Sequence, residues 1–380
     1  MSDIRLDGQQ PSAVKNWGSG WLVRLAGSSR AHRFMARVPG LKHLMRAEGR
    51  ALFDIVAGFV HSQALLALVE LDVLHLLQAG PMSAENLAPK CKLAPDRMQL
   101  LLQSGASIGL LKRHRDGRFA LSVRGAAFLT VPGLEAMVRH HPVLYRDLAD
   151  PVAFLRGETS PELARFWPYV FGADGATDPA VTALYSGLMA DSQGLVAEDT
   201  LQMVDLSGVK RLLDIGGGTG AFLAVVSRKY PSLNMGLFDL PAVVEGAGAR
   251  LARAGVSNPL TIHPGSFRDD PLPTGADAIS LIRVLYDHAD ATVAKLLAAV
   301  FRALPPGGLL IVSEPMSGGA VPDRATDSYF AFYTAAMQTG RTRSGAEIAV
   351  LMAAAGFADI IDIKGFRPFV TSVVTARRPK

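Results

Sequence analysis

The sequence predicts an α/β protein with a helical, winged-helix-like module in front of a doubly wound, mostly parallel sheet whose last strand is antiparallel. Three observations carry this. After Gly208, short β-type runs alternate with helical stretches, the pattern of a parallel sheet with helices on both faces. The run Gly216-Gly217-Gly218-Thr219-Gly220 sits between the first such strand and a helix, where α/β sheets bind ligands. Upstream, three helical stretches lead into a hairpin with Asp116-Gly117 at its turn, a strong hairpin signal.

The chain is long enough for more than one domain, with 380 residues, 49% of them hydrophobic and 19% charged. Such a chain buries a sizeable core, which excludes large-scale disorder. A single cysteine, Cys91, excludes an intramolecular disulfide framework and a cysteine-clustered metal site. The net charge of +5 is local: residues 1–50 carry nine basic and three acidic side chains, so the remainder sums to −1. A general nucleic-acid binder is therefore not expected. The basic residues alternate with Trp17, Trp21, Phe34 and several Leu and Met. That mixture suits an interfacial segment on an anionic membrane or an arm packed on a partner subunit.

Taken in order, residues 51–76 read as one apolar helix. Its stretch Ile55–Val69 is expected in the core, since His61, Ser62 and Gln63 make it too short and too polar to span a bilayer. A second helix starts near Pro81–Glu85 with Ser83 as cap, and a third runs from Ala94-Pro95-Asp96 to about Ser107. This third helix has only Arg97 as a basic residue, too little for phosphate binding, so the module is read as a dimerisation unit. Residues 125–205 are helical, with loops at Pro132-Gly133, Pro151 and residues 172–175. Strands follow at 211–215, 235–238, 260–263, 278–282 and 309–313. Helices start at Gly220 and Pro241, span 290–304, and lie near 328–338 and 345–355. Strands at 360–363 and 370–375 have no helix between them and pair antiparallel.

Asp214 ends the strand before the glycines. A carboxylate there repels a pyrophosphate and suits a ligand with an amine or a sulfonium. Asp239 closes the next strand, where an acid accepts hydrogen bonds from ribose hydroxyls. Gly216-x-Gly218-x-x-Ala221 also fits a relaxed dinucleotide fingerprint, so two ligand classes remain open on the glycines alone.

The ordered set Asp214–Gly220, Phe238-Asp239-Leu240-Pro241, Gly265-Ser266-Phe267, Arg283–Asp290 and Leu304-Pro-Pro-Gly-Gly308 resembles the small-molecule O-methyltransferases that use S-adenosylmethionine. The resemblance covers roughly residues 50–380. It implies a winged-helix dimerisation domain joined to a Rossmann-like class I methyltransferase sheet, a homodimer, and S-adenosyl-L-homocysteine as product. Within that family, Arg46–Arg50, Leu52–Val60 and Val284–His288 resemble the carotenoid O-methyltransferases of purple phototrophs, which act on demethylspheroidene and 1-hydroxyneurosporene in spheroidene biosynthesis.

The resemblance implies Asp214, Gly216 and Gly218 at the methionine end of the cofactor, Asp239 with Leu240 at the ribose, Ser266 and Phe267 at the adenine, and Arg283 bordering the pocket. The family commonly has Asp where Ser266 stands. It also has a His-Asp-Trp run with His as base, whereas this chain reads Tyr286-Asp287-His288. On pKa grounds His288 is expected to take the proton, while the resemblance implies Tyr286 beside the methyl, orienting the hydroxyl, and Glu314 as the acid that orients the base. No metal is expected. Residues 1–45 are read as a basic arm, 46–130 as the dimerisation domain, 131–205 as a helical substrate region and 206–380 as the catalytic domain. The protein is expected in the cytoplasm, with the arm on the cytoplasmic face of an intracytoplasmic membrane or on the partner. Two rival readings are a methyltransferase of this scaffold acting on a tetrapyrrole carbon and a metabolite-sensing regulator.

Overall fold

The computed structural model describes residues 39–166 and 193–380. The first 38 residues of the expected basic arm and the expected loop at 172–175 lie outside the described residues. The chain divides into two compact units, Met1–Leu65 and Leu66–Lys380.

Described from Pro39, the first unit is one helix, which continues into the second unit as α1 (Pro39–Glu70). It starts a dozen residues before the expected 51, because Leu41 to Glu48 are good helix formers. It also stops short of 76: Asp72 turns left-handed at φ 51° and separates α1 from the short helix Val73–Leu76. The expectation of a buried core helix is corrected. Leu52, Phe53, Ile55, Val56, Phe59 and Val60 are 48–72% exposed, and among the described side chains of the helix only Ala64, Leu68 and Val69 are buried. The spacing that suggested a core face leaves an apolar stripe exposed. The longer segment Arg46–Glu70, which contains the expected stretch Ile55–Val69, is long and apolar enough to cross a membrane by length and composition alone.

In the second unit, Ser83 caps the helix Ala84–Leu87 by accepting from the Asn86 N–H at 3.4 Å. Helix α2 (Pro95–Ser107) opens on proline, whose missing N–H costs nothing at a first turn. Strands β1 (Leu111–Arg113) and β2 (Phe119–Leu121) form the expected hairpin. Helices α3 (Val123–Thr130) and α4 (Leu134–Asp147) follow. Pro151 lies in no loop. Asp150 accepts from the N–H groups of Val152 and Ala153, and Pro151 begins the short helix Pro151–Leu155.

The sheet holds β3 (Arg211–Ile215), β4 (Asn234–Asp239), β5 (Leu260–Pro264), β6 (Ala278–Ile282), β7 (Leu309–Glu314), β8 (Ala358–Ile363) and β9 (Ser372–Arg377), in the order β5-β4-β3-β6-β7-β9-β8. The first five are parallel, and β9 runs antiparallel to both β7 and β8. Helices α5 (Ala221–Lys229), α6 (Asp290–Ala303), α7 (Ala331–Ala336) and α8 (Gly345–Ala354) belong to this part. Successive residues of a strand face opposite ways. So Leu213, Ile279, Leu281, Leu310 and Val312 enter one core, while Leu212, Ala278, Ile282 and Ile311 enter another. Central β6 is buried along its whole length, as a strand covered on both faces must be. Reversal of order beside β3 brings the carboxyl ends of β3, β4 and β6 around one crevice, the place where open α/β sheets take ligands.

Candidate active site

The crevice floor is the glycine loop after β3. Gly216 stands at φ 68°, and its N–H donates to the Phe238 carbonyl at 2.8 Å. A Cβ on Gly216 would lie 2.8 Å from Val284 Cγ2, and one on Gly217 would collide with the Asp214 carboxylate. Gly218, at φ 61°, has nothing within 4 Å of its Cβ position and so faces open space. Asp214 is fully buried; Oδ1 accepts from Ser280 Oγ at 2.6 Å and Oδ2 has no partner. Burial pushes its carboxyl up to about 7. Asp239 accepts from the Gly218 N–H at 2.7 Å and the Leu240 N–H at 2.8 Å. Its enclosed carboxylate is pushed up to about 6 by burial. A carboxylate oxygen accepts more than one hydrogen bond, so Asp239 retains capacity for a pair of hydroxyls. An uncompensated buried acid, an open glycine and an acid at the end of β4 together fit a ligand with an amine and a ribose.

The second wall follows β5. Ser266 Oγ donates to Asp269 Oδ2 at 2.8 Å, and the Ser266 N–H donates to Asp270 Oδ2 at 2.8 Å. The serine therefore closes its own turn and presents its neighbour Phe267. His288 meets Phe267 edge-on, with ring centres 5.2 Å apart. Arg268 approaches His288 Nδ1 at 3.2 Å. A guanidinium only donates, so Nδ1 accepts and its lone pair is engaged. Burial, with Arg268 and Arg343 nearby, lowers the imidazole to about 3.

The third group sits where β6 and β7 end. Arg283 is left-handed at φ 58°, a conformation that costs a non-glycine residue roughly 1–3 kcal/mol and collects at functional sites. Its N–H donates to the Ser313 carbonyl at 2.7 Å, and its Nη2 to Tyr286 Oη at 3.1 Å. Tyr286 is buried, and burial raises its phenol above the ordinary range. Glu314 is fully buried; Oε2 accepts from the Tyr286 N–H at 3.1 Å and Oε1 has no partner. Burial pushes Glu314 up to about 7 and Asp287 up to about 8. Asp287, like Glu314, keeps one carboxylate oxygen without a partner.

The predicted residues thus fall into three linked sets: Asp214, Gly216, Gly218, Asp239 and Leu240; Ser266, Phe267 and His288; and Arg283, Tyr286 and Glu314. Sequence reasoning assigned no role to Asp287 or to an aromatic wall beside Arg283. In that wall, His141 Nε2 lies 3.0 Å from Tyr329 Oη and Tyr145 packs 5.9 Å from His141. Phe154 stacks on Phe332 at 6.1 Å. Tyr329 lies in a π-helical turn, Ala325–Phe330, leading into α7. Such turns mark functional sites more often than chance, and the Arg283 charge acts on the Tyr329 phenol. The signal in the sequence was the pair His140-His141 and the run Tyr329-Phe-Ala-Phe-Tyr333.

The chain matches an O-methyltransferase dimerisation domain over residues 53–131 and an O-methyltransferase domain over residues 145–358, more than half its length. The chain belongs to the O-methyltransferase family. This O-methyltransferase is 66% identical to the demethylspheroidene O-methyltransferase of Cereibacter sphaeroides, an alignment covering 94% of each chain. It is 56% identical to that of Rhodobacter capsulatus, covering 94% of this chain and 89% of the relative. Human N-acetylserotonin methyltransferase, solved in complex with S-adenosylmethionine, superposes with a TM-score of 0.71 at 25% identity, covering 88% of this chain and 98% of that one. The mitomycin 7-O-methyltransferase superposes at 0.73 and 25%, covering 89% and 99%. The expected fold class is met, and the dimerisation domain supports a homodimer.

Proposed function

We propose that this enzyme transfers the methyl group of S-adenosylmethionine to the tertiary hydroxyl of an acyclic carotenoid of the demethylspheroidene or 1-hydroxyneurosporene class, in spheroidene biosynthesis. The carrying observation is the identity of 66% and 56% to two demethylspheroidene O-methyltransferases along almost the whole chain. Incubation with S-adenosylmethionine and demethylspheroidene in mixed micelles should yield a product heavier by one methylene, methylated on oxygen. Absence of that product, with cofactor binding intact, would overturn the substrate.

S-adenosylmethionine, when bound, supplies an electrophilic methyl on a sulfonium and is left as S-adenosyl-L-homocysteine. Asp214, Gly216 and Gly218 would hold its methionine end, and Asp239 with Leu240 would hold the ribose. Phe267 would line the adenine side, with the hydroxyl of Ser266 committed to its own turn. His288 joins this side as a neutral imidazole, because its Nδ1 lone pair already accepts from Arg268. That engagement argues for moving proton uptake away from His288, where the sequence suggested it. Tyr286, polarised by Arg283, orients the acceptor hydroxyl. Glu314, raised to about 7 by burial, is matched to receive the hydroxyl proton, while Asp287, raised to about 8, stays protonated at neutral pH. The His141–Tyr329 wall gives the apolar acceptor an aromatic lining.

The exposed face of α1 is the surface through which a second copy docks. Replacing Val56 and Phe59 by Asp should turn a dimer into a monomer in light scattering. A dimer that persists would move the interface elsewhere.

Residues 1–45 bring the enzyme to the cytoplasmic face of an anionic membrane, where a water-insoluble polyene is collected. Deleting residues 1–38 should lower co-sedimentation with anionic vesicles, and added salt should weaken binding by the full chain. Equal binding by both forms would leave the arm to the partner subunit.

A further inference from the structure

Arg343 has the largest fully buried side chain among the described residues, at 0% exposure, and it lies in the segment between α7 and α8. Burying an arginine is costly unless every donor is met, and here all five positions are used. Nη1 donates to the Leu285 carbonyl at 2.8 Å and to the Arg341 carbonyl at 3.3 Å. Nη2 donates to the His288 carbonyl at 2.7 Å and to Asp290 Oδ1 at 2.6 Å, and Nε donates to the same oxygen at 2.8 Å. Leu285 and His288 bracket Tyr286 and Asp287, so one guanidinium grips the turn on either side of both. The backbone of Arg343 is tied in as well: its carbonyl accepts from the Ser317 N–H at 2.9 Å, three residues after Glu314.

We infer that Arg343 is a positioning residue for methyl transfer, setting the geometry of the Tyr286–Asp287 turn. The same guanidinium also bears on the charge of Glu314. The N–H groups of Leu285 and Tyr286 and the cations Arg343 and Arg283 favour the carboxylate, while burial opposes it. Asp287 and the Tyr286 phenol face it as well, and its partner on β9 is the uncharged Ser372. Of the influences that favour the carboxylate, the Arg343 cation is the largest. The inference rests on the proposed roles of Tyr286 and Glu314, and the test separates the two.

The full-length enzyme and its Arg343→Met, Arg343→Lys and Glu314→Gln variants are compared in turnover from pH 5.5 to 9, with cofactor affinity by calorimetry. An ionised Glu314 accepts the proton, so wild-type turnover falls as pH drops through about 7, the value to which Glu314 is raised. Removing the Arg343 cation raises Glu314 further. Arg343→Met should therefore move this limb to higher pH by about one unit, with cofactor affinity within about threefold of wild type. Arg343→Lys restores the charge but not the forked grip. Its limb should return to the wild-type pH while kcat stays at least about tenfold low and the acceptor KM barely moves. Full kcat in Arg343→Lys overturns the inference. If Arg343→Met does not fold, the kcat of Arg343→Lys decides alone. A limb that persists in Glu314→Gln defeats the reading of Glu314 as proton acceptor, while the Arg343→Lys kcat still reports on positioning.

Discussion

Replacing Glu314 by glutamine should lower turnover about 10²–10⁴-fold, the range over which a general base contributes. Glutamine keeps an oxygen for the Tyr286 N–H, so the turn stays in place and only the ionisable group is lost. Burial raises Glu314 to about 7. Below that pH the wild-type acid is protonated and cannot accept the hydroxyl proton, so activity falls with acidification; above it, activity is level. The variant should show neither the rate nor the limb. Replacing His288 by alanine serves as the contrast, since an imidazole against Phe267 and Arg268 bears on cofactor affinity instead. Steady-state kinetics across the pH range, beside calorimetry for the cofactor, checks both. Full turnover in Glu314→Gln, with loss confined to His288→Ala, would return the proton to the histidine.

Replacing Asp239 by alanine should weaken S-adenosylmethionine binding by about 1.5–3 kcal/mol, the range for hydrogen bonds to a charged group, or about 10- to 150-fold. The structure adds a second reason for a large effect. The same carboxylate accepts from the Gly218 and Leu240 N–H groups, so the variant loses the tether that sets the glycine loop. Binding should also depend on pH in a definite direction. Asp214 and Asp239 are raised to about 7 and about 6, and a cationic ligand favours their ionised forms. Affinity should therefore fall as pH drops through 7 to 6, and binding near pH 6 should release protons. Calorimetry in buffers of different ionisation enthalpy measures that release. Unchanged affinity in a folded Asp239→Ala enzyme would remove this acid from the ribose site.

The strands were legible because a strand buried on both faces is mostly apolar: Ala278–Ile282 and Leu309–Ser313, with one serine each, read as apolar runs and are found within one residue of their expected ends. The glycine loop was legible for a related reason. Gly216 and Gly217 sit where a side chain would strike Val284 or Asp214, so the constraint is written in the residue types themselves. The antiparallel end of the sheet also followed, since no helix separates its last two strands.

Other features depend on partners far apart in the chain. A helical stripe of Leu52, Ile55, Val56 and Phe59 has the same periodicity whether it faces a core or another molecule, and only its exposure told them apart. The surroundings of His288 include Arg268, which engages Nδ1 from 20 residues away. An imidazole in a sequence carries its ordinary pKa, while burial and a neighbouring cation assign the real one. Arg343 gave no signal as one of many arginines, because its carbonyl partners lie 55 and 58 residues back. By itself, then, the sequence determined the sheet, the glycine loop and the acids at the strand ends, since local sterics and apolar runs are properties of adjacent residues. Only the tertiary structure decided which apolar face is open, which titratable groups are buried and which cations and carbonyls surround them, since burial and charge pairing are set by residues that meet only once the chain has folded.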